Sequence, residues 1–161
     1  MMAAGLPGSA EAASGLLRDE IPAREYAYST LELFLFSAAT WNPHRVHYDQ
    51  DYMRDVLHEP GLLVHGPLQA AHMFQLLREV VADGVTVRAL EYRHQAVLRA
   101  GEPVRISGRV VSAAGTAATV EMWVESLRSG QRTTTGVAHL ERAGTHQRAV
   151  PPAPPRAQED S

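Results

Sequence analysis

The sequence PLQAAHMFQLLREVVADG spans residues 67–84. It is the longest segment of helical character in the chain, because Pro67 fits the first helical position and Gly84 fits the end. Apolar residues cover most of its circumference, so we expect a largely buried helix. Polar residues recur along it in steps of three, at Gln69, His72, Gln75 and Arg78.

The pattern changes after Gly84 to short β-rich runs separated by glycine or charge. Four strands are predicted, VTVRALEYRHQAV, PVRISGRVVSA, TAATVEMWVESL and RTTTGVAHLER, at residues 85–97, 103–113, 116–127 and 132–142. The third alternates, with Val120, Met122 and Val124 on one face. One long apolar helix followed by a run of strands indicates an α+β fold, in which a curved antiparallel sheet wraps around the helix.

The region before the long helix predicts a short strand at residues 24–29, REYAYS, and two short helices. Ser29 and Glu32 have the spacing of a capping box at the start of the first helix, LELFLFSAA. Asp49 can cap the second helix, QDYMRDVL.

Domain organisation follows from composition. Residues 1–20 show no periodicity and residues 144–161 are rich in proline, so we expect a mobile tail at the N-terminus and a disordered or extended tail at the C-terminus. The folded domain is predicted for residues 21–143. A chain of 161 residues, 45% hydrophobic and 20% charged, suits one globular domain with one core.

Composition also excludes several classes of function. The net charge of −3 argues against a nucleic-acid surface, and no apolar run approaches the length of a membrane span. The chain has neither cysteine nor lysine, which excludes thiolate nucleophiles, zinc–thiolate sites and Schiff-base chemistry. The lack of cysteine and of a secretory signal is compatible with a cytoplasmic protein.

A dense polar loop, TWNPHRVHYDQDY, interrupts the apolar pattern at residues 40–52. Binding and catalytic residues are frequent in such loops. His47 is a candidate acid and base because imidazole titrates near neutrality, or it orders its own loop. Asn42 either holds a water through its amide or serves as a turn residue before proline. For Asp49, capping of the next helix is expected.

Other histidines have plainer interpretations. His44 is expected to face solvent or order the loop, and His72 to be a packed core or pocket-wall residue. A metal site built from His44, His47 and Asp49 has less support than these interpretations, because the chain has no cysteine and because proline and Arg45 favour a loop. We therefore expect no metal.

The element order and two motifs resemble the hotdog fold of the MaoC-like hydratases and dehydratases. Those enzymes carry a loop Asp-x-Asn-Pro-x-His-x-Asp, matched here by NPHRVHYD at residues 42–49, where His47 and Asp49 agree. The second motif is VHGPL at residues 64–68. Together with YRHQAVLRAGEPVRISG at residues 92–108, the sequences of the two motifs are similar to those of one branch. That branch contains the fungal-type 3-hydroxyacyl-thioester dehydratases and the mesaconyl-CoA or itaconyl-CoA hydratases. The resemblance covers roughly residues 25–141.

The resemblance implies a hydro-lyase that acts on an enoyl or 3-hydroxyacyl thioester of CoA or acyl-carrier protein, with no further cofactor. His47 would be the acid and base, and Asn42 would position water. The N–H of Gly66 is the candidate donor to the thioester oxygen, since glycine permits close approach and Pro67 has no N–H. His65 and Pro67 would contact the thioester beside Gly66, or His65 would pack behind the site.

Two departures keep alternatives open. The family's loop is acidic where this chain has Asn42, and many relatives fuse two hotdog units. The chain could instead be a non-catalytic acyl-thioester-binding subunit that pairs with an active homologue. A hotdog thioesterase is a third hypothesis, with Asp55 or Glu59 as the carboxylate.

A single hotdog unit leaves one sheet edge open, so we expect a homodimer with a continuous sheet and a site near its interface. Arg93 and Arg45 are candidates for binding a carrier phosphate or an acyl carboxylate. The alternative for Arg93, as for the other arginines in or beside the predicted strands, is a solvated position on the sheet.

Overall fold

The computed structural model describes residues 15–17 and 20–142. In chain order its elements are β1 (Arg24–Ala27), α1 (Thr30–Ala39), a 3-10 helix (Arg45–His47), α2 (Gln50–Asp55), α3 (Gly66–Val80), β2 (Val85–His94), β3 (Pro103–Ala114), β4 (Ala117–Ser126) and β5 (Arg132–Arg142).

The five strands form one antiparallel sheet in the order β1-β3-β4-β5-β2, so β1 and β2 are its two edges. In the centre, Met122 of β4 lies opposite Gly108 of β3 and Gly136 of β5. A Cβ on Gly108 would collide with the Met122 side chain. Glycine is required there because the methionine of the neighbouring strand occupies the space.

Helix α3 packs on this sheet and shares one core with it. Leu77 and Met73 of α3 are fully buried, as are Val120, Met122 and Val124 of β4. Burying a side chain of this size contributes about 1.5–3 kcal/mol. The predictions of an alternating third strand and of an α+β fold are confirmed. The helix is buried on one face only, because Phe74, Gln75 and Arg78 are exposed, so the prediction of a largely buried helix holds in part.

The helix α1 begins where the sequence predicts. Ser29 is its N-cap, and its hydroxyl accepts from the Glu32 N–H while the Glu32 carboxylate accepts from the Ser29 N–H. This is the capping box predicted from the spacing of the two residues.

The bounds of α3 differ from the prediction. The helix begins at Gly66, which makes Pro67 its second residue, and it ends at Val80 rather than near Gly84. It ends early because Val81 is extended, with φ −65° and ψ 132°, and pairs with Leu17. Gly84, with φ 74°, lies in the turn that leads into β2.

The predicted tail over residues 1–20 is wrong for Leu16 and Leu17, which are only 2% and 8% exposed. The N–H of Ala82 donates to the Leu16 carbonyl at 3.1 Å. These two leucines cover the C-terminal end of α3, and this burial explains why an apolar pair occurs in an otherwise featureless segment. Residues 1–14 and 143–161 lie outside the described residues. No helix among those described is both long and apolar enough to cross a membrane.

Candidate active site

The N-terminus of α3 presents free backbone donors. The first N–H groups of a helix have no acceptor within the helix, and they lie at the positive end of its dipole. His65 is the N-cap residue and its side chain makes no capping bond. Pro67 has no N–H, and no backbone acceptor within residues 20–142 is bonded to the Gly66 N–H. Gly66 is therefore a donor available to a ligand.

His47 is fixed with one ring nitrogen open. Its Nδ1 lies 2.7 Å from the carbonyl oxygen of Leu63. A carbonyl only accepts, so Nδ1 carries the proton and Nε2 of the neutral ring keeps a free lone pair. Partial burial lowers the pKa of His47 below its usual value, partly opposed by the bond to Leu63. The geometry thus presents a neutral imidazole with Nε2 as a base.

His65 packs directly against His47. The two rings stack with centroids 3.6 Å apart and planes 19° apart. His65 is 1% exposed, and its Nε2 is 2.9 Å from the hydroxyl of Ser37 in α1. Burial, together with His47, lowers the pKa of His65 to about 4. It is a neutral, packed ring behind His47, and these contacts favour the packing interpretation over direct contact with a thioester.

Asn42 is held by its own loop. Its N–H donates to the Ser37 carbonyl at 2.9 Å, and its Oδ1 accepts from the His44 N–H at 3.1 Å. This is an Asx turn, which uses one of the two lone pairs of the side-chain oxygen. Nδ2 and the second lone pair remain for a water, and the water-positioning role stays a prediction.

Arg45 orders the same loop. It pairs with Asp49 at 2.8 Å, and its guanidinium lies over the Tyr52 ring at 4.2 Å. Asp49 also caps α2 by accepting from the Tyr52 N–H at 2.9 Å, which confirms the predicted cap. Arg45 therefore has a structural role here, and carboxylate binding by it stays a prediction.

Arg93 is exposed on the edge strand β2 and lines an open depression on the outer face of the sheet with Arg132 and Glu121. Glu121 is already paired with Arg132 and Arg109, whereas Arg93 has no ion-pair partner among the described side chains. Among the described residues, no hydrogen bond or ring contact joins Arg93 to His47.

Comparison with known proteins identifies the family. Residues 9–100 match the family described as hydroxyacyl-thioester dehydratase type 2. The chain belongs to that family.

Part of the sequence also matches a characterised hydratase. The chain is 40% identical over 77 residues to mesaconyl-C(4)-CoA hydratase of Chloroflexus aurantiacus. The match covers 48% of this chain but only 27% of that protein.

Solved structures show the fold. R-Hydratase PhaJ1 of Pseudomonas aeruginosa has a TM-score of 0.67 at 18% identity, over 77% of this chain and 81% of that one. The (R)-hydratase of A. caviae has a TM-score of 0.66 at 19% identity, over 76% and 93% of the two chains. The ChsH1-ChsH2 complex of Mycobacterium tuberculosis has a TM-score of 0.67 at 15% identity, over 76% and 94%. The expected MaoC-like hotdog fold is confirmed.

Sequence reasoning missed three contributors to this candidate site. They are the Leu63 carbonyl that orients His47, Ser37 that bonds His65, and His94, whose ring lies against Gly66. A Cβ on Gly66 would be 3.4 Å from Cγ and Nδ1 of His94. Only His94 had any signal, as part of the YRHQ stretch at residues 92–95.

Other chemistries find less support in the structure. The carboxylate of Glu59 is paired with Arg99 at 2.6 Å and that of Asp55 with Arg54 at 2.7 Å, so neither is free to activate water for a thioesterase. Within the described ranges, no group of three or more His, Asp or Glu side chains is arranged to hold a metal ion.

Proposed function

We propose that the protein is a hydro-lyase for an acyl thioester, which adds water to an enoyl thioester or removes it from a 3-hydroxyacyl thioester. The observation that carries the proposal is the placement of the His47 ring. Its Nδ1 is bonded to the Leu63 carbonyl, its Nε2 is open, and the ring stacks on His65, the N-cap residue of α3. Membership of the dehydratase type 2 family and the identity to mesaconyl-C(4)-CoA hydratase support it.

His47 performs both proton transfers. Nε2 takes a proton from water as the water oxygen bonds to Cβ, and the electron pair of the Cα–Cβ double bond moves toward the thioester carbonyl. The resulting enolate oxygen accepts a hydrogen bond from the Gly66 N–H. The Nε2 proton then passes to Cα and the neutral imidazole is restored. Dehydration is the same sequence in reverse.

Asn42 would hold the water through Nδ2, or through the lone pair of Oδ1 that the His44 N–H does not use. An amide cannot replace a carboxylate as a base, so this assignment leaves His47 alone with the proton transfers. No cofactor is needed beyond the carrier of the thioester, which is CoA or acyl-carrier protein.

The partner is proposed to be a second copy of this chain. Strand β2 is bonded to β5 on one side only, so its other side offers backbone groups to another strand. Pairing of two β2 strands would give a continuous sheet with two-fold symmetry. Sedimentation should then give about twice the chain mass of 17.6 kDa. The ChsH1-ChsH2 complex makes a heteromer the alternative outcome.

A non-catalytic acyl-thioester-binding subunit is the second candidate. The observation in its favour is Asn42, which stands where the resembling hydratases have an acidic residue and whose oxygen is tied to its own loop.

The deciding experiment incubates the purified chain with crotonyl-CoA, mesaconyl-type CoA or itaconyl-type CoA and follows loss of the enoyl-thioester absorbance. His47→Ala is measured beside it, and His44→Ala, an exposed histidine three residues away, is the matched control. Turnover that is lost in His47→Ala and kept in His44→Ala supports the proposal. An active His47→Ala enzyme would contradict the proposal. If the wild type turns over none of these CoA thioesters, the same assay with an acyl-carrier-protein thioester separates a carrier-bound substrate from the non-catalytic subunit.

A further inference from the structure

His94 lies beside the proposed oxyanion donor. It is the last residue of β2, opposite Thr134 of β5 in the sheet register. Its ring covers the space that a side chain on Gly66 would need, 3.4 Å from the position of a Cβ. Its Nδ1 is 3.0 Å from the Thr134 hydroxyl, while the residue as a whole remains exposed. One ring nitrogen is therefore held by Thr134, and Nε2 has no hydrogen-bond partner among the described residues, on a ring whose Cγ and Nδ1 lie against Gly66.

The anchor continues into the core. The hydroxyls of Thr133 and Thr134 lie 2.7 Å and 2.9 Å from the same side-chain amide, that of Gln69 on α3. Consecutive strand residues normally face opposite sides, but a register shift between β4 and β5 at this point allows both threonines to reach inward. All three side chains are buried, with Gln69 and Thr134 fully inaccessible.

The orientation of the Gln69 amide decides which nitrogen of His94 carries the proton. With Oε1 toward the threonines, Nε2 of Gln69 is buried without a partner in the described structure. Turning the planar amide over lets both of its N–H groups donate to the two hydroxyls. Thr133 then donates to the Val124 carbonyl, 3.3 Å away, and Thr134 donates to Nδ1 of His94. This leaves one carbonyl oxygen unpaired instead of two N–H donors, and a buried unpaired N–H is the rarer defect.

We propose that His94 supplies a second hydrogen-bond donor to the thioester oxygen, from Nε2–H beside the N–H of Gly66. Because Thr134 donates to Nδ1, the neutral ring must carry its proton on Nε2. Partial burial lowers the pKa of His94, so the ring is neutral near pH 7. Two fixed donors aimed at one oxygen stabilise a developing enolate more than one does. The inference rests on the proposed hydro-lyase function.

The tautomer is tested first, because that measurement needs no turnover. In a protein with 15N-labelled histidine, the ring shifts of His94 should show a protonated Nε2 and an unprotonated Nδ1. Thr134→Val, which keeps the shape and removes the hydroxyl, should abolish this preference, and Thr134→Ser should keep it. A wild-type ring protonated on Nδ1 would overturn the proposal.

Kinetics test the donor itself. His94→Phe keeps a ring against Gly66 without a donor, and His94→Gln keeps an N–H donor. We expect His94→Phe to lower kcat by about 100-fold with little change in KM. The kcat of His94→Gln should be about tenfold higher than that of His94→Phe. Equal kcat for His94→Phe and wild type overturns the role of His94 while His47→Ala still tests the function. Absence of wild-type turnover on CoA and acyl-carrier-protein thioesters alike overturns the proposed function instead, so the two failures are distinguishable. Melting temperatures of both variants control for folding.

Discussion

Helix α3 borders two clusters of aromatic and imidazole rings two turns apart. At its start, His65 stacks on His47. Further along, His72 stacks on Tyr28 with centroids 5.1 Å apart and meets the edge of Tyr26 at 4.8 Å. Burial lowers the pKa of the histidines in both clusters. A lowered pKa alone therefore does not separate a catalytic histidine from a packed one.

The clusters differ in what they leave unpaired. In the second, the Tyr26 hydroxyl donates to Glu32, which also caps α1, so the rings join β1, α1 and α3 into one packed unit. In the first, His47 keeps Nε2 open close to a helix N-terminus whose N–H groups have no intrahelical acceptor. A base beside a backbone donor can do chemistry, whereas a ring enclosed by tyrosines stabilises the fold.

The largest expected difference separates His47 from His72. His47→Gln should lower kcat/KM by about 100-fold or more, because the variant loses the group that moves both protons. His72→Gln should stay within about threefold of wild type, since no proposed step uses it. Both are measured as enoyl-thioester turnover after circular dichroism shows folded protein. Equal losses in the two variants would contradict the distinction between the clusters.

A methyl group at the start of α3 should have the next largest effect. In Gly66→Ala the new Cβ lies 3.4 Å from the His94 ring, so either the ring or the helix start must shift by a few tenths of an ångström. We expect kcat/KM to fall roughly tenfold, because misplaced donors lose transition-state contacts. Gly61→Ala is the matched control, since its Cβ would be 4.0 Å from the flexible Arg99 side chain. Full activity in Gly66→Ala would remove Gly66 from the site.

The sequence predicted the local features of both clusters and missed their contacts. The Ser29 cap, the Asp49 cap and the alternation of β4 depend on neighbours a few residues apart, and each was predicted correctly. The bonds from Ser37 to His65 and from His94 to Thr134 join residues 28 and 40 positions apart. The first pair is set by the position of α1 against the start of α3 and the second by the register of β2 with β5, and periodicity encodes neither. The assignment of Leu16 to a tail failed for the same reason.

The protein should lose stability as the pH is lowered, and the main contribution should come from His65 in the first cluster. The pKa of His65 is about 4 in the folded chain and about 6.5 when unfolded. Between these values the unfolded state binds the extra proton, so stability decreases as pH falls from 6.5 toward 4, by at most about 1.4 kcal/mol per pH unit for this group. Urea midpoints at pH 7 and pH 5 measure it. His65→Phe should show a smaller drop; an unchanged drop would assign the effect to other histidines.

The smallest effect is expected in the second cluster, and it has opposite signs for its two tyrosines. The Tyr28 hydroxyl is buried with no partner in the part of the chain that the structure describes, and burial raises the pKa of Tyr28 far above its usual value. Tyr28→Phe removes an unpaired polar atom, so stability should be unchanged or rise by up to about 1 kcal/mol.

Tyr26→Phe removes a hydroxyl that is paired, since the bond to Glu32 raises the pKa of Tyr26 to about 12. This variant should lose about 0.5–1.5 kcal/mol. Urea unfolding of the two variants at pH 7 compares them directly, and neither should change kcat. Equal destabilisation by both would mean that Tyr28 has a hydrogen-bond partner. The buried Tyr28 hydroxyl of the second cluster would then be hydrogen-bonded, and the contrast of that cluster with the site around His47 would be weaker.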